Sequence, residues 1–291
     1  MNQDIQSVSE NKIILYLKFG IIAGLVIFLY YPEIRFLIGQ WLHTYEFSHG
    51  FLVILISCYL NWRKRDVLRS TPVEPNFKGI FILLFGIAIL LIGYTAFEPF
   101  AKRFSLIITI FGLVYFLLGT KIVKILLFPL GYLIFAIPPP HIVFKSLAVN
   151  LRIIDAKATY HIVNLLGIPI VQDGPSLHLP NITLVVADFC TGILSLIALS
   201  AVAVLYAYIS QKHIISKTIL IMIAIPVAIM GNILRTVLVV ILAYFYGQSA
   251  LNNVVHVLQG TVNFILTLVV LFILGNLVKK IDNKLCSKNL L

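Results

Sequence analysis

The fold is decided by residues 218–246, which read TILIMIAIPVAIMGNILRTVLVVILAYFY. This stretch carries one charged side chain, Arg235, and is otherwise almost entirely apolar. A helix needs about 20 such residues to cross the ~30 Å hydrocarbon core of a bilayer. The stretch therefore predicts a membrane-spanning helix.

The composition extends this prediction to the whole chain. Of the 291 residues 60% are hydrophobic and 11% are charged, whereas soluble domains have roughly 45–50% and about 25%. A mean hydropathy of +1.02 excludes a disordered protein and argues against a soluble enzyme. The net charge of +11 would suggest a nucleic-acid partner in a soluble protein, but here it is typical of basic cytoplasmic loops.

We predict an all-α polytopic membrane protein with about eight transmembrane helices. Residues 13–31 are too long and too weakly basic for a signal peptide and are interpreted as a retained first helix. The other predicted spans are residues 51–62 (entering from about residue 45), 79–96, 104–119, 125–137, 193–209, 218–246 and 261–278.

The distribution of Lys and Arg predicts the orientation. If the amino terminus is inside, twice as many of these residues fall in inner segments as in outer ones, which supports two cytoplasmic termini. No fixed-period repeat divides the chain, so residues 1–291 are interpreted as one integral membrane domain.

Residues 138–190 form the largest predicted outer segment. Three prolines stop a helix at residues 138–140. A helix restarts near Ile142, with Lys145, Arg152 and Asp155 on one side. This helix is either interfacial or a buried span with a polar lining.

After this helix, the hydrophobic periodicity of the sequence changes. Residues 173–176 and 180–181 read as turns, and the residues between and after them alternate or are β-branched. We predict a small extracytoplasmic β-hairpin that ends near residue 186.

Cys190 follows this hairpin and directly precedes an apolar helix, at its predicted outer end. The amino terminus of a helix carries partial positive charge, which favours a nucleophilic thiolate. The ordinary alternative is a small buried hydrophobic residue. Of the other two cysteines, Cys58 lies toward the inner end of its span and Cys286 in the cytoplasmic tail, so neither is a predicted disulfide partner.

Two further polar residues fall at the same predicted level. Arg235 lies about 25 Å along its helix from Thr218, with Asn232 one turn earlier, and either faces a wet cavity or extends to the headgroups. His256 precedes the last span at its outer end and is either a proton-transfer group or an ordinary loop histidine.

The combination of thiol, guanidinium and imidazole on three consecutive spans points to acyl transfer. A thiolate attacks a carbonyl, an imidazole moves the proton, and a cation stabilises the oxyanion. A metal site formed by Cys190, His256 and His178 has no recognisable ligand spacing. The chain has no HExxH, CxxC, Walker or GxSxG motif.

These residues resemble the three motifs of the exosortase/archaeosortase family. The motifs are a cysteine box at residues 190–193, an Asn-x-x-Arg box at residues 232–235 and a His-x-x-x-Gly box at residues 256–260. Four further stretches are similar to the family's upstream segments. They are residues 47–53, residues 59–63, the three prolines at 138–140 and Leu151-Arg152. The resemblance covers about residues 40–280.

The resemblance implies a cysteine peptidase or transpeptidase in a prokaryotic inner membrane. Its partners would be exported proteins with a PEP-CTERM-like carboxy-terminal signal, which consists of a motif, a membrane span and a basic tail. By the family pattern Cys190 is the nucleophile, Arg235 the transition-state stabiliser and His256 the acid/base. Thr191 replaces the usual serine and could mark a subfamily with a different signal.

Supporting roles are expected for the remaining motif residues Gly192, Asn232 and Gly260. His49 could line the substrate entry or be an ordinary residue at a helix end. Asp188 could orient His256, pair with Arg235 or cap a helix. Because thiol chemistry needs no metal or nucleotide, we expect no cofactor.

Two alternatives remain open at the sequence level. One is a transporter or flippase of an envelope-polysaccharide pathway, and the other is a membrane acyltransferase that uses the same three residues.

Overall fold

The computed structural model describes residues 20–44, 47–185, 193–247 and 253–288, with the backbone alone for residues 194, 253–259 and 283–288. Of the described residues 83% are helical, which confirms the all-α class. The helices are α1 (Gly20–Leu29), α2 (Tyr31–His43), α3 (His49–Arg63), α4 (Arg65–Ser70), α5 (Lys78–Thr95), α6 (Pro99–Tyr132), α7 (His141–Leu165), α8 (Ile193–Ser210), α9 (Ile214–Tyr246) and α10 (Asn253–Lys288).

The chain is a multi-pass membrane protein. Among the described residues, four helical stretches are long and apolar enough to cross a membrane, namely Lys78–Thr95, Pro99–Ala136, Ile214–Tyr246 and Gly260–Asp282. The helices α1 and α2 make a fifth if this pair, bent by 72°, is one span. These stretches do not confirm the count of eight spans, which stays a prediction.

The chain divides into two compact units, residues 1–138 and residues 139–291. In the first unit, α5 and the first half of α6 form a tightly packed antiparallel pair. Gly79 lies against the backbone of Phe116, and Gly112 lies against the backbone of Leu83. A Cβ atom at either glycine would collide with that backbone, so these small residues allow the close approach.

A break at Gly119 separates the two halves of α6. Its φ of 84° is unfavourable for residues with a side chain. Beyond it, the chain packs along other helices: the Ser57 hydroxyl donates to the Pro129 carbonyl at 2.8 Å, and the Trp41 indole donates to the Ala136 carbonyl at 3.0 Å. The predicted span 104–119 thus lies in the first half of α6, and the predicted span 125–137 begins in its second half and continues through a 3₁₀ turn at Leu133–Ala136.

A cluster of charges is buried in the first unit. The Glu33 carboxylate accepts from Arg103 Nε at 3.3 Å and lies 3.4 Å from Lys102 Nζ. The Arg103 guanidinium also lies 3.8 Å from the centre of the Phe36 ring. Since Glu33 and Arg103 are 5% and 8% exposed, the opposite charges compensate each other inside the protein.

The second unit contains a three-stranded antiparallel sheet where the sequence predicts a two-stranded hairpin. The strands β1 (Val171–Asp173), β2 (Ser176–His178) and β3 (Thr183–Val185) lie in that order. Leu177, at the centre of β2, is fully buried in a core shared with α7 and α9. The side of the membrane on which this sheet lies stays a prediction.

The helices α8, α9 and α10 pack together through small side chains. The core of this group comprises Leu199, Ala203, Ala207, Leu220, Ala224, Ala228 and Leu271. At one end Asp282 of α10 accepts hydrogen bonds from the Ser216 hydroxyl at 2.7 Å and the Lys212 amide at 2.9 Å. These contacts hold α10 against the start of α9.

Candidate active site

The predicted site residues other than His49 fall into three groups. Asn232 and Arg235 lie in α9 and Gly260 lies in α10, and the structure describes all atoms of these three residues. His256 lies in α10, where the backbone alone is described. Three other predicted site residues, namely Asp188, Cys190 and Gly192, lie outside the described residues.

Asn232 is anchored to α7 by a buried carboxylate. Its Nδ2 donates to Asp155 Oδ2 at 3.1 Å, and the Thr236 hydroxyl donates to the same oxygen at 2.6 Å. All three residues are less than 9% exposed. Asn232 and Thr236 are four residues apart, so they share the face of α9 that contacts α7.

Arg235 is directed to a different neighbour. A Cβ atom built at Gly260 would lie 3.6 Å from the guanidinium carbon of Arg235 and 3.6 Å from one of its terminal nitrogens. The guanidinium therefore lies directly over Gly260 of α10. At 3.6 residues per turn, Arg235 is about 100° around α9 from Thr236, which explains how one helix contacts two partners.

Two of the predicted motifs thus meet in the structure. The guanidinium of Arg235, the last residue of the Asn-x-x-Arg box, lies beside Gly260, the last residue of the His-x-x-x-Gly box. Position 256 precedes Gly260 by four residues in a continuous helix, which places it on the same helical face one turn away. Ile193, the last residue of the cysteine box and the one that the structure describes, is buried and begins α8, a helix that packs on α9 and α10.

Asp155 is a candidate residue that the sequence analysis did not assign to the site. The signal was present, because Lys145, Arg152 and Asp155 were expected on one side of their helix. Asp155 Oδ1 and the Thr159 hydroxyl, one turn later on α7, are buried and have no hydrogen-bond partner among the described residues. Buried polar atoms without a partner are uncommon and mark positions that need an explanation.

His49 lies in the first unit, as the first residue of α3. The adjacent Gly50 lies against the indole ring of Trp41, which leaves no room for a Cβ atom. Trp41 also packs edge-to-face on Phe51 at 5.3 Å between ring centres. The segment around His49 therefore has a packing role, and a role of His49 in substrate entry stays a prediction.

His178, which was considered as a metal ligand, lies in β2. Its Nδ1 is 3.0 Å from the Thr183 hydroxyl of β3, at hydrogen-bonding distance. This contact joins the two strands and gives His178 a local structural role.

Comparison with known protein families shows what the chain is similar to. A family model described as transmembrane exosortase matches residues 41–273, which is most of the chain and includes all three motifs. A search of curated proteins and a search of solved structures gave no match.

Proposed function

This chain belongs to the transmembrane exosortase family, and from that premise we propose that it cleaves a PEP-CTERM-like carboxy-terminal signal of exported proteins. The family is a membrane-embedded group of cysteine-type protein-sorting transpeptidases. The observation that carries the proposal is the contact between Arg235 and Gly260, because it brings the second and third motifs together.

The proposed reaction is acyl transfer through a thioester. The Cys190 thiolate attacks the scissile carbonyl carbon, and the negative charge moves to the carbonyl oxygen. The tetrahedral intermediate collapses, the C–N bond breaks, and His256 gives a proton to the departing amine. An amine or water then attacks the thioester carbonyl carbon and gives its proton to His256; the C–S bond breaks, which releases the Cys190 thiolate and transfers or hydrolyses the acyl group.

Arg235 is proposed to stabilise the oxyanion. A guanidinium is always charged and offers several fixed N–H donors. The α9 contacts of Asn232 and Thr236 with Asp155 support this role, since they hold the backbone around Arg235 in one position. A donor that is held before the reaction stabilises developing charge without reorganisation.

The proposed topology has eight spans and an extracytoplasmic active site. Pro99–Ala136 is a 38-residue stretch, about 57 Å long as a straight helix and far longer than one crossing. The break at Gly119 supports two crossings there. We place both termini in the cytoplasm and the β1–β3 sheet outside, with the whole chain acting as one domain because the family match runs through both units.

Mass spectrometry of the trapped acyl-enzyme tests the reaction. The chain is co-expressed with a reporter that carries an exported domain, a candidate motif, one span and a basic tail. We expect a substrate fragment attached to Cys190 and loss of processing in Cys190→Ala, with normal processing in Cys58→Ala, which removes an exposed thiol. Unchanged processing in Cys190→Ala, with the protein inserted, would reject the proposal.

A further inference from the structure

A groove runs between α7, α9 and α10 within the second unit. Its volume is about 480 Å³, within the usual range of roughly 300–1,000 Å³ for binding pockets. Its lining is nearly all apolar and includes Ala158, Gly231, Leu234, Asn263, Leu266 and Thr267. On α9 and α10 this groove falls within segments apolar enough to span the membrane.

Asn263 is an unusual residue in this lining. It is 9% exposed, and its side-chain amide makes no hydrogen bond within the described part of the chain. The neighbouring Thr267 hydroxyl is already used, since it donates to the Asn263 backbone carbonyl at 2.6 Å. A polar group without a partner in an apolar environment costs free energy, so the groove offers its occupant an amide that no described side chain or backbone group uses.

The groove begins beside the candidate active site. On α9, Leu234 directly precedes Arg235 and Gly231 lies about one turn before it, and on α10 Asn263 follows Gly260 by three residues. From Gly260 to Val270, the last lining residue on α10, the helix rises about 15 Å. This distance is half of the ~30 Å hydrocarbon core.

We propose that this groove binds the first turns of the substrate's membrane-spanning helix, with the Asn263 amide hydrogen-bonded to a polar atom of that helix. The inference rests on the proposed function and adds the location of the helix. A peptide offers carbonyl and hydroxyl acceptors and amide donors to Asn263, whereas a lipid acyl chain offers none. A helix that begins beside Arg235 and extends away from it places the preceding residues, including the scissile bond, at the site.

Photo-crosslinking tests the location of the helix. Leu266 and Ile265 are adjacent on α10 and equally exposed, at 51% and 52%, but only Leu266 lines the groove. Photoreactive benzoylphenylalanine replaces one or the other in the full chain carrying Cys190→Ala, in phosphatidylethanolamine–phosphatidylglycerol vesicles. The probe is a biotinylated peptide with a polar head, an apolar span of about 20 residues and a Lys-Lys-Lys tail.

We expect peptide adducts several-fold more abundant from position 266 than from position 265, suppressed by unlabelled peptide. Equal adducts from the two positions, or adducts with phospholipid alone at position 266, would overturn the proposal. Because this variant lacks Cys190, cross-linking does not depend on the proposed acyl-transfer reaction. If no acyl-enzyme formed in the native chain, the proposed reaction would be rejected, but the proposal that the groove binds the peptide would not be affected.

A kinetic variant gives a second readout. Interhelical hydrogen bonds in membranes contribute about 0.6–2 kcal/mol, so Asn263→Leu should raise KM for the spanning peptide roughly three- to thirtyfold. The rate constant for the bound peptide should not change, because Asn263 does not contact the reacting atoms. An unchanged KM, or a fall in kcat alone, would overturn the role of Asn263.

Discussion

The buried carboxylates of the two units have different hydrogen-bond and charge partners. In the first unit, Glu33 lies between two cations, Lys102 and Arg103, and the charges compensate one another. In the second unit, Asp155 accepts from two neutral donors, Asn232 and Thr236, through one oxygen, and its other oxygen has no partner among the described residues.

This difference separates a structural cluster from a candidate site. An ion cluster with mutual compensation holds helices together but offers little to a substrate. Asp155 instead holds the Asn-x-x-Arg segment, which positions the Arg235 guanidinium beside Gly260 and close enough for its charge to act on the Asp155 carboxylate. The comparison predicts that variants in the first unit change stability and that variants in the second unit change the rate of processing.

The largest effect is expected from Glu33→Ala. This variant leaves Arg103 buried, and Lys102 partly buried, without their carboxylate, and breaking a buried pair in this way costs about 3–5 kcal/mol. Unfolding in detergent measures the loss. The matched control is Glu74→Ala, whose partner Lys121 and whose own side chain are more than half exposed, so the loss should stay below about 1 kcal/mol. Equal losses of unfolding free energy in the two variants would contradict the stabilising role assigned to the Glu33 cluster.

Arg235→Gln should give the next largest effect. It removes the charge but keeps a polar side chain, and the loss of one oxyanion donor lowers kcat by roughly 10²–10³-fold. The processing rate of purified protein measures this, with thermal unfolding as the control for folding. A melting temperature that falls together with the rate would instead assign Arg235 a structural role.

Asp155 and Asn232 should be coupled. A double-mutant cycle with Asp155→Ala and Asn232→Ala measures the interaction, and a buried hydrogen bond to a charged group predicts a coupling of about 1.5–3 kcal/mol. The rate of processing should fall in both single variants and little further in the double variant. Additive effects would show that Asp155 does not position the Asn-x-x-Arg segment.

The smallest effect is expected from Gly260→Ala. The new Cβ would lie 3.6 Å from the guanidinium, an ordinary van der Waals contact, so processing should change by no more than a few-fold. Gly260→Leu should displace Arg235 and slow processing much more. The control is Gly275→Ala on the same helix, where the new Cβ collides with the Tyr206 ring and should lower stability. Equal rates in Gly260→Leu and Gly260→Ala would contradict the contact.

The class of fold and one contact of the site could be predicted from the sequence. Composition and apolar runs indicate a membrane protein because lipid selects for them directly. The proximity of Arg235 and Gly260 could be predicted because consecutive spans pack as neighbours. Helix α2 could not be predicted from the sequence, because Glu33 and Arg35 interrupt its apolar pattern and Glu33 is compensated by Arg103, seventy residues later.

The hydrogen bond that anchors Asn232 to Asp155 could not be predicted either, because its two partners are also far apart in the sequence. The two residues are 77 positions apart, and nothing in the periodicity of either helix identifies the other as its partner. The strand β1 was missed because its pairing with β2, not its own three residues, makes it a strand.

The account's central claim is that Cys190, Arg235 and His256 form one pocket, and thiol cross-linking tests it most directly. The chain carries His256→Cys with Cys58→Ala and Cys286→Ala, and dibromobimane, a short reagent that fluoresces when both arms have reacted, is added to spheroplasts. The account predicts a bridge between Cys190 and the thiol at position 256, and none when Lys279→Cys replaces His256→Cys. If both thiols are labelled by an impermeant maleimide from outside and yet no bridge forms, the proposed site is contradicted.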